Sequence, residues 1–200
     1  MGEDPLKKIV TLGRQALGRV SPNPAVGAVV LKQGKVVGQG YTQPPGGPHA
    51  EVLALREAGS KAKGSRLYAT LEPCPSHGRT PPCTEAIIAS GVKEVFFSVL
   101  DPNPDVFGRG KKALELAGIK VGIGMRGSKV VQESNQLIEA YAKHITTGIP
   151  FITVKFAMSL DGKVATSSGA SRWISNEDSR QLTHRLRAES DAIMVGIGTA

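Results

Sequence analysis

One imidazole, one carboxylate and two thiols, carried by separate segments, constrain this chain more than any other feature. His49 and Glu51 stand two positions apart, and Cys74 and Cys83 each follow a proline. Imidazole nitrogen and thiolate sulfur are typical zinc ligands, and a catalytic site with three protein ligands keeps a fourth position for water. The sequence therefore predicts a fold that brings His49, Cys74 and Cys83 together around Zn²⁺, with Glu51 beside them as a proton carrier.

The local sequence indicates where these side chains lie on their elements. Residues two apart on an α-helix point about 200° from each other, so His49 and Glu51 can share a site only at the start of a helix. A Pro/Gly-rich loop precedes His49, and Ala50–Ala58 reads as a helix. Cys83 likewise precedes a helix predicted over residues 84–90. The partial positive charge at a helix N-terminus favours the thiolate that binds a metal.

His-x-Glu at a helix start, together with Pro-Cys after a strand, is the pattern of zinc-dependent hydrolytic deaminases. Two thiolates neutralise most of the charge of the metal, so a base must take the proton of the attacking water, and Glu51 is placed for that role. One feature departs from the pattern, because residues 75–82 separate Cys74 from Cys83 where the pattern has two residues. Glu72, inside the motif, is predicted to be a structural carboxylate.

The long spacing between the cysteines resembles one family. Leu71-Glu72-Pro73-Cys74 and Gly78-Arg79-Thr80-Pro81-Pro82-Cys83 are similar to segments of the riboflavin-biosynthesis pyrimidine deaminases, which are usually fused to a reductase. Further similar segments, in the order of the family, are Ser21-Pro22-Asn23-Pro24, Gly47-Pro48-His49-Ala50-Glu51, Asp101-Pro102-Asn103-Pro104, Gly108-Arg109-Gly110, Met158-Ser159-Leu160-Asp161-Gly162, Ser171-Arg172-Trp173-Ile174 and Val195-Gly196-Ile197-Gly198-Thr199. The resemblance covers nearly the whole chain.

The resemblance implies two domains. Residues 1–146 are expected to form a cytidine-deaminase-like three-layer α/β/α domain with a mixed sheet, and an opening hairpin followed by alternating strands and helices independently predicts a layered α/β domain. Residues 147–150 are expected to be a linker, and residues 151–200 resemble the opening part of a dihydrofolate-reductase-like α/β domain. The predicted elements include helices over 130–145 and 176–188 and strands at 66–71, 94–99, 120–123, 151–157 and 191–195. About fifty residues with so few strands cannot bury a substantial core alone.

The resemblance also implies a reaction and its ligands. The family uses Zn²⁺ to deaminate a diaminohydroxypyrimidine carrying a phosphoribosylamino group to the uracil form, and then uses NADPH to reduce the ribosyl to a ribityl chain. The implied deaminase-substrate residues are Asn23, Arg79, Asp101 and Asn103, beside the ligands His49, Cys74 and Cys83 and the catalytic Glu51. The implied NADPH residues are Ala157, Trp173 and Thr199, and the implied reductase-substrate residues are Ser171 and Arg187. With the reductase part incomplete, we expect ammonia release without NADPH oxidation.

Charge and composition bear on partners and location. The net charge of +8 favours an anionic partner. Aromatic residues make up only 4% of the chain, however, and leave few side chains on which nucleic-acid bases could stack, so we expect no nucleic acid to bind. A phosphorylated small substrate explains part of the excess charge. The chain has no apolar run of about 18 residues, so we expect no membrane span. The two cysteines, both assigned to metal, fit the reducing cytoplasm, and the incomplete second domain favours a homo-oligomer.

Two alternatives stay open at this point. The first is a deaminase of another base, of the cytidine or tRNA-adenosine type, which the long spacing between Cys74 and Cys83 disfavours. The second is a non-catalytic binding module that keeps a full ligand set without turnover.

Overall fold

The computed structural model describes residues 4–124 and 127–198, and the chain divides into the compact units Met1–Phe151 and Ile152–Ala200. The first unit contains, in chain order, α1 (Pro5–Arg14), β1 (Gly27–Lys32), β2 (Lys35–Tyr41), α2 (Ala50–Ala58), a 3₁₀ turn (Gly59–Ala62), β3 (Arg66–Leu71), α3 (Cys83–Ala89), β4 (Glu94–Val99), α4 (Arg109–Leu116), β5 (Lys120–Ile123), α5 (Lys129–Leu137) and α6 (Glu139–Thr147). Across the described ranges, no helix has the length and apolar character needed to cross a bilayer.

A mixed five-stranded sheet in the order β2-β1-β3-β4-β5 forms the middle of the first unit. β1 pairs antiparallel with both β2 and β3, whereas β3, β4 and β5 run parallel. The last residues of β3 and β4, Leu71 and Val99, are register partners, and the Glu72 N–H donates to the Val99 carbonyl at 2.9 Å. The segments that follow these two strands therefore leave the sheet side by side at one edge.

Small residues in β2 let α2 approach the sheet closely. A Cβ atom added at Gly38 would lie 2.1 Å from the Ala54 carbonyl oxygen, and one at Gly40 would lie 2.6 Å from the Ala50 oxygen. Because only glycine leaves this space, the backbones of helix and strand pack against each other without intervening side chains. This contact fixes the N-terminus of α2, where His49 and Glu51 stand.

The core lies on both faces of the sheet. The fully buried side chains include Ile9 and Val10 from α1, Leu67 and Phe97 from the central strands, and Leu114 from α4. Asp4 caps α1 by accepting the Leu6 N–H at 3.0 Å, and Pro5 occupies the first turn, where a missing N–H costs nothing. Helices cover both faces, which is the layered α/β architecture predicted from the sequence.

The helix predicted over residues 130–145 is wrong as a single element. The backbone leaves the helical region at Ile138, with φ −113° and ψ 8°, and separates α5 from α6. Ile138 is 3% exposed and packs in the core, whereas α6 has no buried residue. The break thus accompanies burial of Ile138, and no glycine or proline near it gives a sequence signal.

The second unit contains one helix, α7 (Glu177–Ala188), within its described residues. Asn176 caps this helix by accepting the Ser179 N–H at 2.9 Å, which confirms the predicted helix with its start shifted by one residue. The strands predicted at 151–157 and 191–195 are wrong, since neither segment is a strand here. A strand exists only with a hydrogen-bonded neighbour, and none of the described residues of this unit offers one. Val154 and Phe156 accordingly stay 69% exposed.

Candidate metal centre and active site

The structure brings His49, Cys74 and Cys83 together at the carboxyl edge of β3. His49 is the extended N-cap residue of α2, Cys83 is the first residue of α3, and Cys74 follows β3. One ligand atom from each residue lies within 4.8 Å of the others. The Nδ1 atom of His49 is 3.2 Å from the Cys83 sulfur and 3.6 Å from the Cys74 sulfur, and both cysteines are free thiols.

The donor set fits a zinc ion. Zinc–ligand distances of about 2.1–2.3 Å in a tetrahedron place neighbouring ligand atoms about 3.5–3.8 Å apart. The separations of 3.2 and 3.6 Å between nitrogen and sulfur are close to that spacing. Two thiols and one imidazole are also the donors that zinc prefers over calcium or magnesium, and three protein ligands leave one coordination position for water.

The hydrogen bonds between the two cysteine side chains favour a single negative charge on the pair. A hydrogen bond from the Cys83 thiol lowers the pKa of Cys74, and a further hydrogen bond from His49 acts in the same direction, against the effect of burial. The pKa of Cys83 is raised, first by this hydrogen bond to Cys74 and then by burial. The two cysteines are therefore one thiolate and one thiol, which share a single proton. A cation bound to both sulfurs would replace that proton.

Glu51 is a buried carboxylate next to this cluster. The residue is 4% exposed, in the first turn of α2. The pKa of Glu51 is raised to about 7, first by burial and then by the negative charge of Cys74, while the positive charge of His49 acts in the opposite direction. A buried acid that titrates near neutral pH is a group poised to accept and release protons. A cation on the neighbouring sulfurs would favour its charged form.

Glu72 is structural, as predicted. Its Oε2 atom accepts the N–H groups of Asp101 at 3.2 Å and Gly108 at 3.0 Å, and its Oε1 atom accepts the N–H of Lys111 at 2.9 Å. Two of these donors belong to the N-terminus of α4, whose unpaired N–H groups need acceptors. Glu72 thus joins β3 to the loop after β4 and to α4.

Replacing Glu72 by glutamine is expected to destabilise the fold while leaving the metal ligands in place. The amide nitrogen of glutamine is a donor, so one of the three N–H groups loses its acceptor, at a cost of about 1–3 kcal/mol. Urea unfolding of the zinc-loaded chain measures this free energy. The matched control is Glu139→Gln at the exposed start of α6, where the expected change is within about 0.5 kcal/mol. Equal stability of the two variants would contradict a capping role for Glu72.

The other predicted substrate residues occupy different surroundings. Asp101 is 5% exposed and its Oδ1 atom accepts the Asn103 N–H and the Tyr141 hydroxyl, both at 2.9 Å. Asn103 in turn accepts the Asp105 N–H at 3.0 Å, which closes a turn. Burial raises the pKa of Asp101, while its two donors act in the opposite direction.

Arg79 lies on a different feature from Asp101. It is exposed, and it lines a cleft of about 880 Å³ together with His49 and Thr80, between α2 and α3. Asn23, Asp101 and Asn103 are not among the lining residues of that cleft. Asn23 is half-buried, and its N–H donates to the Val20 carbonyl at 2.8 Å.

Two residues with contacts in the site were not predicted from the sequence. The Tyr141 hydroxyl binds Asp101, and burial and the Asp101 charge raise the pKa of Tyr141, so that it stays a donor. The Thr80 hydroxyl lies 3.3 Å from the Nε2 atom of His49. Thr80 belongs to the family-like motif that ends at Cys83, whereas nothing in the pattern of α6 distinguishes Tyr141 from an ordinary packing residue.

The residues assigned to a reductase by resemblance lie in the second unit. Ala157 is half-buried, and Ser171, Trp173 and Arg187 are exposed. The Trp173 ring packs against the Arg180 guanidinium, whose central carbon is 4.5 Å from the ring centroid. Thr199 lies outside the described residues.

Comparison with known proteins decides the family. The model of the cytidine and deoxycytidylate deaminase zinc-binding region matches residues 4–99, and the model of the RibD C-terminal domain matches residues 150–200. The riboflavin biosynthesis protein RibD of Aquifex aeolicus is 50% identical over 97% of this chain and 53% of its own length. The RibD protein of Escherichia coli is 46% identical, over 97% of this chain and 52% of its own length. The chain belongs to the RibD family.

A solved structure agrees with membership of the RibD family. The deaminase/reductase of Thermotoga maritima superposes with a TM-score of 0.89 and 41% identity, covering 98% of this chain and 55% of that one. The first unit thus has a cytidine-deaminase-like fold, in which residues 4–99 match the zinc-binding region of that family, and residues 150–200 match the RibD C-terminal domain. The chain spans about half the length of the RibD proteins that it matches.

Proposed function

We propose that this chain catalyses the zinc-dependent hydrolytic deamination of diaminohydroxyphosphoribosylaminopyrimidine to 5-amino-6-(5-phosphoribosylamino)uracil, a step of riboflavin biosynthesis. The observation that carries the proposal is the buried Glu51 carboxylate beside three metal-ligand atoms that lie within 4.8 Å of one another. The name of the Thermotoga maritima neighbour includes this deaminase activity. The proposed product retains the phosphate, which agrees with a net charge of +8.

In the proposed mechanism, His49, Cys74 and Cys83 hold the metal and Glu51 moves the protons. When bound, Zn²⁺ supplies an activated nucleophile at neutral pH. Glu51 accepts the proton of the attacking water and delivers it to the ring nitrogen beside the attacked carbon. It then takes the second proton, from the newly added hydroxyl, and gives it to the amino group, which leaves as ammonia while the carbonyl forms. Its burial excludes bulk water from these transfers and raises its pKa, so that the protonated form is accessible between the step as base and the step as acid.

The substrate contacts are part of this proposal. The position of Asp101 after β4, next to the segment that bears Cys74, supports a role in holding the ribose, with Asn103 in the same turn. Tyr141 and the Asn103 N–H orient the Asp101 carboxylate by donating to the same oxygen, Oδ1. The exposed Arg79 guanidinium supplies a cation for the substrate phosphate, and Asn23 supplies an amide for the pyrimidine edge.

Replacing Arg79 by alanine is expected to raise KM for the pyrimidine substrate about tenfold with little change in kcat, since a charge-assisted bond to phosphate contributes to binding rather than to chemistry. Steady-state ammonia release measures both constants. The charge-matched control is Arg19→Ala, at an exposed position after α1, which should leave KM unchanged. An equal rise in KM for both variants would show a general effect of net charge.

A substrate panel tests the proposed reaction directly. The zinc-loaded chain is supplied with the phosphoribosylaminopyrimidine, cytidine, deoxycytidylate and a tRNA anticodon stem-loop, and ammonia release is measured for each. We expect release from the first compound alone. Release from cytidine or from the RNA instead would overturn the substrate assignment, and release from none would favour a non-catalytic module.

We further propose that residues 1–146 act as the deaminase domain, joined through residues 147–150 to a reductase part over residues 151–200. In that part Ala157, Trp173 and Thr199 are assigned to NADPH, and Ser171 and Arg187 to the reductase substrate. The match of residues 150–200 to the RibD C-terminal domain supports this assignment.

Location and assembly complete the proposal. Both cysteines are free thiols at the metal cluster, which fits a reducing compartment, and we assign the chain to the cytoplasm. The exposed apolar side chains of the second unit, such as Ile152 and Phe156, favour association into a homo-oligomer. Sedimentation analysis of the full chain measures that state.

A further inference from the structure

The segment between the two cysteines holds a threonine hydroxyl against the imidazole of His49. The Gly78 N–H donates to the Thr80 carbonyl at 3.2 Å, which forms a tight turn. Pro81 and Pro82 follow, and a residue before proline is restricted to extended backbone conformations. Thr80 is half-buried, and its Oγ1 atom is 3.3 Å from the Nε2 atom of His49. The longer spacing between the cysteines thus places a stiff loop over the ring.

The two nitrogens of His49 face different partners. Nδ1 lies 3.2 Å from the Cys83 sulfur and 3.6 Å from the Cys74 sulfur, on the side where a shared ion would sit. A ring nitrogen that binds a metal presents its lone pair, so the proton of the neutral imidazole is on the other nitrogen. Nε2–H is therefore the donor, and the Thr80 hydroxyl oxygen is the acceptor within reach.

We propose that Thr80 is a positioning residue for the metal centre. Its hydroxyl accepts the Nε2–H bond, keeps the imidazole in the tautomer with a free Nδ1 lone pair, and holds the ring toward the two sulfurs. Without this bond, the ring can rotate into the cleft that it lines with Thr80 and Arg79. The inference rests on the proposed zinc site, but it concerns metal affinity and not the identity of the substrate.

The test compares the zinc affinities of the 200-residue chain and its variants by competition with a chromophoric chelator. Thr80→Val, which keeps the shape and removes the acceptor, should weaken zinc binding about 10–100-fold, the usual cost of losing a partner of a metal-binding histidine. Thr80→Ser keeps the hydroxyl, so its zinc affinity should stay within about threefold of the wild-type affinity, a much smaller change than in Thr80→Val. The matched control is Thr11→Val on α1, where the hydroxyl donates to the Lys7 carbonyl in the same helix at 3.1 Å.

A second variant and a second readout separate orientation from packing. Thr80→Ala also lacks the hydroxyl, so it should weaken zinc binding as much as Thr80→Val does. The visible spectrum of the Co²⁺-substituted chain should shift in both variants and not in Thr80→Ser, because it reports the geometry of the ligands. Unchanged affinity in Thr80→Val, or equal losses in the serine and valine variants, would overturn the proposal. Neither measurement uses the pyrimidine substrate, so a failure of the deaminase assignment would leave this result intact.

Discussion

Glu51→Gln is expected to lower kcat for ammonia release by about 10²–10⁴-fold, the range that a general acid–base group contributes. Glutamine has the size and polarity of glutamate, but it cannot accept a proton from water or deliver one to the ring. Since Glu51 is not among the three ligands, the zinc content should equal that of the wild type. The measurement pairs a steady-state ammonia assay with the zinc stoichiometry of the same preparation.

Glu57→Gln provides the matched control for this variant. Glu57 lies on the same helix, near its other end, where its carboxylate accepts the Gln39 N–H at 2.9 Å. The same substitution there should leave turnover and zinc content unchanged. Wild-type turnover in Glu51→Gln would remove this carboxylate from the mechanism. Loss of zinc in that variant would instead make Glu51 part of the metal-binding set.

Local sequence patterns predicted most of the first unit because its elements are short and clearly bounded. The helix Ala50–Ala58 and the strands Arg66–Leu71, Glu94–Val99 and Lys120–Ile123 have the predicted bounds. Each is limited by glycine, proline or a change of hydrophobic period, which are local signals. The break at Ile138 and the missing strands of the second unit depend on tertiary packing and on strand partners. Such partners lie outside the segments themselves. The sequence pattern of each segment alone therefore could not show whether it forms a strand or one continuous helix.

The candidate site was predictable only in part for a related reason. His49, Cys74 and Cys83 are chemically distinctive, and their positions at the ends of elements predict that they share one site. Tyr141 reaches Asp101 from 40 residues away in the chain, a pairing that no local pattern encodes. Thr80 belongs to the motif Gly78-Arg79-Thr80-Pro81-Pro82-Cys83, but its contact with His49 depends on the path of the loop between the cysteines. The sequence predicted which residues carry the chemistry of the site better than it predicted their hydrogen-bond partners.

Cys83→Ser is expected to remove the zinc site and, with it, a large share of the stability of the fold. Cys83 is fully buried at the first turn of α3, and a serine hydroxyl does not ionise there to replace the thiolate. Losing a direct ligand should weaken zinc binding by more than about 100-fold. The loss of a residue that only hydrogen-bonds to a ligand already lowers metal affinity by up to about 100-fold. His49, Cys74 and Cys83 belong to three separate segments, so the ion binds the folded state and stabilises it by linkage.

The size of this stabilisation follows from the free zinc concentration. At about 1,000 times the dissociation constant, binding to the folded state alone contributes about 4 kcal/mol to the free energy of unfolding. Urea unfolding with and without a chelator should show this difference in the wild type and less than about 1.4 kcal/mol in Cys83→Ser at the same zinc concentration, because the variant binds zinc more than about 100-fold more weakly. Ser90→Ala, which lies at the opposite end of α3, should keep the full chelator effect. A chelator effect of wild-type size in Cys83→Ser would show that zinc binds elsewhere, and the three side chains would then have to be explained as packing.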